Sequence, residues 1–264
     1  MKLKTDFVDI AGPARIYYRD AGAGVPLLFL HGGWGYEVYP FDRAIATLSG
    51  QFRILIPDRS GYGKSTPMAK LPVDFHRQAA LETARFLDAL NIERVVLWGH
   101  SDGAVIAALL ALKEPSRFPG VIFEAFHYAK TKTGSVDFFR AMISEPDTVG
   151  ARASSALERD HGEEWRKVLY RNATAWLEIV QSGLGDLYDG RLSELRVPAL
   201  FIHGSRDPRT EPGDLEAIRR QLPQAEIRII ENAGHSPHSE PESAGECVRI
   251  ATEFLDRIRA SGKS

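Results

Sequence analysis

Residues 94–113 read RVVLWGHSDGAVIAALLALK, and the fold of the chain turns on them. Arg94–Trp98 is a short run of β-branched, leucine and aromatic residues, the length and composition of a buried strand. Gly99-His100-Ser101-Asp102-Gly103 then makes a G-x-S-x-G sequence, and Ala104–Lys113 is rich in the helix formers Ala and Leu. A serine between strand and helix occupies a sharp turn that thrusts its hydroxyl out of the backbone, with glycines on either side to avoid clashes. The helix start beyond it offers N–H groups without intrahelical partners and the positive end of a dipole, both suited to developing negative charge. Ser101 is therefore the candidate nucleophile. A plain glycine-rich turn is the competing reading, and it explains neither the strand before nor the helix after.

Similar apolar runs recur on both sides of this segment, at 26–30, 52–56, 120–126, 197–202 and 225–230. Segments of helical length separate them, such as 73–90, where Phe75, Ala79, Thr83, Phe86, Leu87 and Leu90 fall at helical spacing. Strands that read as continuous apolar runs are covered on both faces, and their alternation with helices predicts an α/β fold with a mostly parallel sheet. Segments 3–10 and 14–20 alternate instead and predict an antiparallel edge hairpin around Gly12-Pro13. The rhythm breaks from 128 to 195, where no strand-like run occurs and aromatic residues (Phe138, Phe139, Trp165, Tyr170, Trp176) punctuate helical sequence. This stretch is expected to be a helical cap inserted into one core made of 1–127 and 196–264, and insertions above strand ends usually shape a pocket.

A serine hydroxyl needs a base to take its proton. His235, in Asn232-Ala233-Gly234-His235 after the last apolar run, is the candidate; His238 is the rival three residues on. His203 lies inside a strand-like run and reads as a structural residue, and His161 lies in a polar part of the insertion. The imidazole in turn needs a carboxylate on its far nitrogen. Asp207 follows the run 197–202 by a short turn, whereas Glu211 and Asp214 fall where the next helix begins and read as caps. Asp207 as a mere turn cap before Pro208 is the bland alternative. An oxyanion hole requires two N–H donors: Asp102 supplies one, and Gly33, with Trp34 second, supplies the other from the loop His31-Gly32-Gly33-Trp34. That loop lacks both the GK[ST] and the G-x-G-x-x-G spacing of a phosphate cradle.

With these motifs in view, the chain resembles the α/β-hydrolase superfamily over essentially its whole length. HGG (31–33), PDRSGYGKS (57–65), GHSDG (99–103), GSRDP (204–208) and AGH (233–235) carry the resemblance. It implies an eight-stranded, mostly parallel sheet flanked by helices, with a cap. It also implies a structural role for the turn 57–65, where Ser60 replaces the more usual glycine arrangement. Ser-Asp-Gly at the elbow, Asp-Pro after the acid and the helical cap are similar to the valacyclovir hydrolase subfamily. In such enzymes the residue after the nucleophile can bind the ammonium of an amino-acid ester, which would make Asp102 a substrate contact. An aspartate in the first helical turn is equally explained by the dipole, and Gly103-Ala104 departs from the subfamily's double glycine.

Composition bounds the partner. Thirty-three basic and thirty-five acidic residues among 264 give a net charge of −2, with no field to attract nucleic acid or an anionic membrane. Cys247 stands alone, which removes an internal disulfide and a cysteine-built zinc site and suits a reducing compartment. The first residues carry lysines but no apolar h-region, and no run approaches the ~20 residues that span a bilayer, so a cytoplasmic enzyme is expected. The expected partner is a small-molecule ester, with neither cofactor nor metal required, in a monomer or homodimer. Trp34 and Phe126 adjoin the proposed loops and are candidate substrate contacts; Tyr36, Tyr128 and Trp176 are either pocket or core. A carboxylate-nucleophile dehalogenase or epoxide hydrolase is excluded by a serine at 101. Carbon–carbon bond hydrolases, lactonases and perhydrolases use the same triad and stay open, as does a non-catalytic binding protein of the same fold.

Overall fold

The computed structural model describes residues 3–211 and 213–261, so the outermost residues of the expected core lie outside it. Eight strands form one sheet: β1 (Lys4–Asp9), β2 (Arg15–Gly22), β3 (Val25–Leu30), β4 (Phe52–Pro57), β5 (Val96–His100), β6 (Val121–Glu124), β7 (Ala199–Gly204) and β8 (Glu226–Ile230). Their order is β1-β2-β4-β3-β5-β6-β7-β8. The hairpin β1-β2 and the β2-β4 pair are antiparallel; every pair from β4 through β3 to β8 is parallel.

The continuous apolar runs are explained by burial on both faces. Leu28, Leu30, Leu97, Phe123 and Phe201 point into one core cluster, while Leu27, Phe29, Val96, Trp98, Ile122 and Leu200 point into the other. Successive residues thus serve opposite faces, as the period of a strand demands. Helices α1 (Asp42–Leu48) and α8 (Ala244–Ser261) contribute to the second cluster, with Cys247 fully buried in it. Helices α2 (Phe75–Ala89), α3 (Asp102–Lys113) and α7 (Asp214–Gln221) cover the first. Helix α3 is buried from Asp102 to Ala111, and its all-round apolar sequence is that of a central helix.

The expected strands at 94–98 and 197–202 are each displaced two residues toward the C-terminus. Pairing of β5 with β3 begins at Leu27 opposite Val96, and β7 starts after Pro198, which has no N–H to donate to a ladder. Between β6 and β7 run helices α4 (Val136–Ser144), α5 (Ala151–His161) and α6 (Trp165–Gln181) with short 3₁₀ turns. Phe139, Leu157, Trp165 and Trp176 from these helices join the same cluster as Leu97 and Phe123, so this segment packs onto the sheet's own core.

Candidate active site

Because β3, β5, β6, β7 and β8 are parallel, the loops after them all emerge at one edge of the sheet, where α/β proteins build their sites. Ser101 follows β5 directly, with φ 54° and ψ −117°, a left-handed conformation that a non-glycine residue rarely adopts. Strain of this kind persists only where the surroundings enforce it. Here a Cβ on Gly99 would collide with the backbone of Gly103, and one on Gly103 would collide with the Leu30 carbonyl. The two glycines are therefore required by close packing of strand against helix.

His235 reaches this turn from the loop after β8, and Asp207 from the loop after β7. The two loops are fastened together: Ser205 N–H donates to the Ile230 carbonyl at 3.0 Å and Arg206 N–H to the Ala233 carbonyl at 2.9 Å. His235 Nε2 lies 3.0 Å from Ser101 Oγ, and its Nδ1 lies 2.9 and 3.0 Å from the two carboxylate oxygens of Asp207. The carboxylate requires a proton on Nδ1, so Nε2 is free to accept from the serine hydroxyl. Burial alone would raise the Asp207 carboxyl. Attraction and hydrogen bonding from His235, with the Arg209 N–H at 2.8 Å, outweigh it and hold the group well below the usual carboxylate range. It is an anion at any pH near neutrality, as orientation of an imidazole requires.

The rival His238 is engaged elsewhere. Its Nδ1 faces Glu124 Oε1 at 2.8 Å and its Nε2 faces the Tyr39 carbonyl at 3.0 Å, while Trp98 Nε1 donates to the other Glu124 oxygen at 2.9 Å. His203 contacts the Thr210 hydroxyl, which donates to Asp207; burial lowers its pKa to about 4. Glu211 receives the Gly134 N–H. Asp214 is more than a helix cap: it accepts the N–H groups of Tyr128, Ala129 and Glu211 and pairs at 3.0 Å with Lys132, whose ammonium is wholly buried. It pins the start of the helical segment to the α7 end.

The loop after β3 brings Gly33 against this site. A Cβ there would fall 2.6 Å from Asn172 Nδ2 and 2.8 Å from Asp102 Oδ2, so any larger residue must push apart the Asn172–Asp102 hydrogen bond. Arg59 braces the loop: its N–H donates to His31 Nε2 at 3.1 Å and its guanidinium to the Gly32 carbonyl at 2.6 Å. That is what the turn 57–65 does. The N–H of Asp102, first in α3, has no intrahelical acceptor. His161 and Asp160, at the end of α5, grip the same loop from the other side. His161 Nε2 donates to the Trp34 carbonyl at 3.0 Å while its Nδ1 accepts the Gly63 N–H, and Asp160 lies within 3.4 Å of the Glu37 N–H.

The side chain of Asp102 lines the cleft above Ser101 and is at the same time tied into the protein. It is 1% exposed, and its oxygens accept from His76 Nε2 at 3.2 Å, Trp176 Nε1 at 3.0 Å and Asn172 Nδ2 at 2.9 Å, with Arg59 at 4.0 Å. Burial would raise its pKa, but hydrogen bonds and attraction from His76, Arg59 and Asn172 together hold it well below the usual range. The carboxylate ties α2, α6 and the turn 57–65 to the elbow. Phe126, expected to touch substrate, is a core residue. It is fully buried, stacked on Tyr188 at 5.2 Å and edge-on to Phe123 and Phe201, because the chain turns inward after β6. Trp34 and Trp176 do line the small cleft above Ser101, with Gly33, Tyr39, Asp102, Asn172, Arg209 and His235.

Two residues near the serine escaped the sequence reading. His127 sits just past β6, and its Nε2 is 3.3 Å from Ser101 Oγ. Its Nδ1 is buried without a partner, and burial drives its pKa well below the ordinary value, so the ring is neutral. Arg209, two residues past Asp207, turns its side chain into the cleft. Both lie at the sheet's carboxyl edge, and that position is the signal that marks them.

A family model described as the Alpha/beta hydrolase family matches residues 27–246. The chain belongs to this family. Among the relatives of this α/β hydrolase, human serine hydrolase BPHL is 24% identical over 249 residues, spanning 91% of this chain and 83% of that protein. A 2-hydroxy-6-oxononadienedioate/2-hydroxy-6-oxononatrienedioate hydrolase of Burkholderia vietnamiensis is 29% identical over 280 residues, spanning 92% and 91%. The solved structure of E-2-(acetamidomethylene)succinate hydrolase matches this α/β hydrolase with a TM-score of 0.75 at 19% identity, over 97% of this chain and 100% of that one, a likeness of fold.

Proposed function

We propose that this α/β hydrolase is a serine hydrolase that cleaves a small carboxylic ester through an acyl-enzyme on Ser101. The observation that carries the reading is the unbroken hydrogen-bond chain from Asp207 through His235 to the Ser101 hydroxyl. Ser101 Oγ attacks the ester carbonyl as His235 Nε2 takes its proton, and the oxygen becomes negative between the Asp102 and Gly33 N–H groups. His235 then protonates the leaving alcohol, and water, activated by the same nitrogen, releases the acid. The small size of the cleft over Ser101 supports a small-molecule substrate. An ammonium on the substrate finds little support in Asp102, whose oxygens already serve three donors with a guanidinium nearby. A cytoplasmic location belongs to the same proposal; among the described residues no helix is long and apolar enough to cross a membrane.

The test is Ser101→Ala, which should lower kcat by about 10⁶ with the fold intact, judged against triad deletions in other serine hydrolases. A fluorophosphonate probe should label the wild-type serine and not this variant. Most of the esterase activity surviving in Ser101→Ala ends the proposal, and a wild-type protein inert to the probe points to a binding protein. A second reading, carbon–carbon bond hydrolysis by the same residues, draws support from the Burkholderia relative. Turnover of a vinylogous diketo acid at a rate above that of esters favours it.

A further inference from the structure

The backbone of Arg209 is fixed on both sides: its N–H donates to Asp207 at 2.8 Å and its carbonyl accepts from the buried Lys132 ammonium at 3.1 Å. Its side chain lines the cleft with Ser101 and His235. The guanidinium carbon lies 4.1 Å from the ring centre of Phe138 and 4.6 Å from that of Phe139, two aromatic residues of α4 that hold it by cation–π attraction and supply no counter-charge. Among the described residues the Arg209 side chain forms no ion pair and no hydrogen bond, and its Nε is buried without an acceptor.

The acids nearby are committed to other cations or donors. Asp207 serves His235 and Thr210. Asp102 serves His76, Asn172 and Trp176 beside Arg59. Glu211 takes the Gly134 N–H. Tyr39 stays neutral, since burial lifts its hydroxyl to about 12. The cleft above the nucleophile therefore holds a guanidinium that feels the charges of Asp102, Asp207 and Glu211 but, among the described residues, has no carboxylate in hydrogen-bond or ion-pair contact. Arg209 is half-buried, with only its Nε cut off from solvent, so the end of its planar fork stays open to the cleft, where it fits a carboxylate with two parallel hydrogen bonds.

We propose that Arg209 is the specificity residue of this site and that it binds a carboxylate carried by the substrate, close to the scissile carbonyl. The substrate is then an anionic ester, such as the monoester of a short dicarboxylic acid, in place of an amino-acid ester. This rests on Ser101 acting as the nucleophile of an ester hydrolase, so one arm of the test does not depend on turnover.

Hydrolysis is followed by pH-stat for two matched pairs: monomethyl glutarate against methyl valerate, with the charge on the acyl side, and carboxymethyl butyrate against propyl butyrate, with the charge on the alcohol side. The wild-type enzyme should favour the anion in one pair by about 100-fold in kcat/KM, mostly through KM, and that pair tells which side bears the carboxylate. Arg209→Gln should bring the ratio to about 1, Arg209→Lys should retain part of it, and Arg209→Met, which keeps the stem on Phe138 and Phe139, guards against a folding defect. In the second arm, glutarate should raise the Tm of Ser101→Ala but not of the Ser101→Ala/Arg209→Gln double variant. Equal kcat/KM for anionic and neutral esters, a preference that survives Arg209→Gln, or equal stabilisation of both Ser101→Ala forms by glutarate overturns the proposal. Absent turnover with glutarate protection intact would instead count against the nucleophile.

Discussion

The substitution Asp102→Asn separates a carboxylate that holds the site together from one that meets substrate. The change is isosteric. The new side chain can keep its carbonyl toward His76 and Trp176 and turn its amide nitrogen toward Asn172, whose own amide can rotate to accept. The hydrogen bonds largely survive, then, and the charge is what disappears. Arg59, 3% exposed and 4.0 Å from Asp102, is left with the Gly32 carbonyl and the face of Tyr62, neither of which is an anion. Removing one partner of a buried charge pair costs about 3–5 kcal/mol. At roughly 2–4 °C per kcal/mol for a protein of this size, Tm should fall by roughly 6–20 °C. The assay is thermal unfolding beside kcat/KM for one neutral and one amino-acid ester. The expected outcome is a large loss of stability with both esters affected alike. A variant that unfolds within about 1–2 °C of wild type, well short of that range, and loses only the amino-acid ester refutes the reasoning and returns Asp102 to the substrate.

Asp207→Asn should lower kcat by about 10⁴ while leaving the Arg209 N–H contact to the side chain, because the amide no longer fixes the His235 tautomer; a loss below tenfold in steady-state kinetics would put the carboxylate elsewhere. Asp160 gives a pH signature. Burial and the nearby Asp58 lift its pKa from 3.8 to about 7, so the native state holds a proton that the unfolded chain releases between about pH 4 and 7. Stability contributed by that proton is present below the unfolded value and is lost as pH rises through the folded one, a fall of a few kcal/mol. Urea unfolding at pH 5 and pH 8 should show this fall in the wild type and a smaller one in Asp160→Asn. Gly103→Ala should cripple folding, since its Cβ has only the Leu30 backbone to displace; soluble, active protein at wild-type yield would contradict the packing. His127→Phe keeps a ring against Trp176 but removes the nitrogen 3.3 Å from Ser101, and kcat/KM should drop about tenfold if that hydrogen bond steadies the hydroxyl.

Features written in local sequence are legible without coordinates. Residues 94–113 carry strand, turn and helix in one unbroken line, and the apolar runs announce a sheet covered on both sides. Ser101, Asp207 and His235 can be named because each follows a strand by a few residues, and parallel strands bring such positions to a common edge. What stays hidden depends on long-range contact. His76 and Asn172 lie within α2 and α6, where nothing local distinguishes a residue that meets Asp102 from one that faces its own helix neighbours. Phe126 fails for the converse reason: nearness in sequence to a site loop says nothing about which way the chain turns after β6, and Tyr188, about sixty residues away, decides it. Arg209 and His127 have the positional mark of site residues. Neither is needed to complete a nucleophile, base and acid, so the mark goes unread.

One end of α5 is tied at Asp160 and His161 to Glu37, Trp34 and Gly63 at once. Helix α5, the stretch just beyond Gly33 and the turn 57–65 are consequently a single mechanical piece. Breaking this latch should therefore shift the loop of Gly33, the proposed second N–H donor, together with α5, so that damage far from Ser101 is felt beside it.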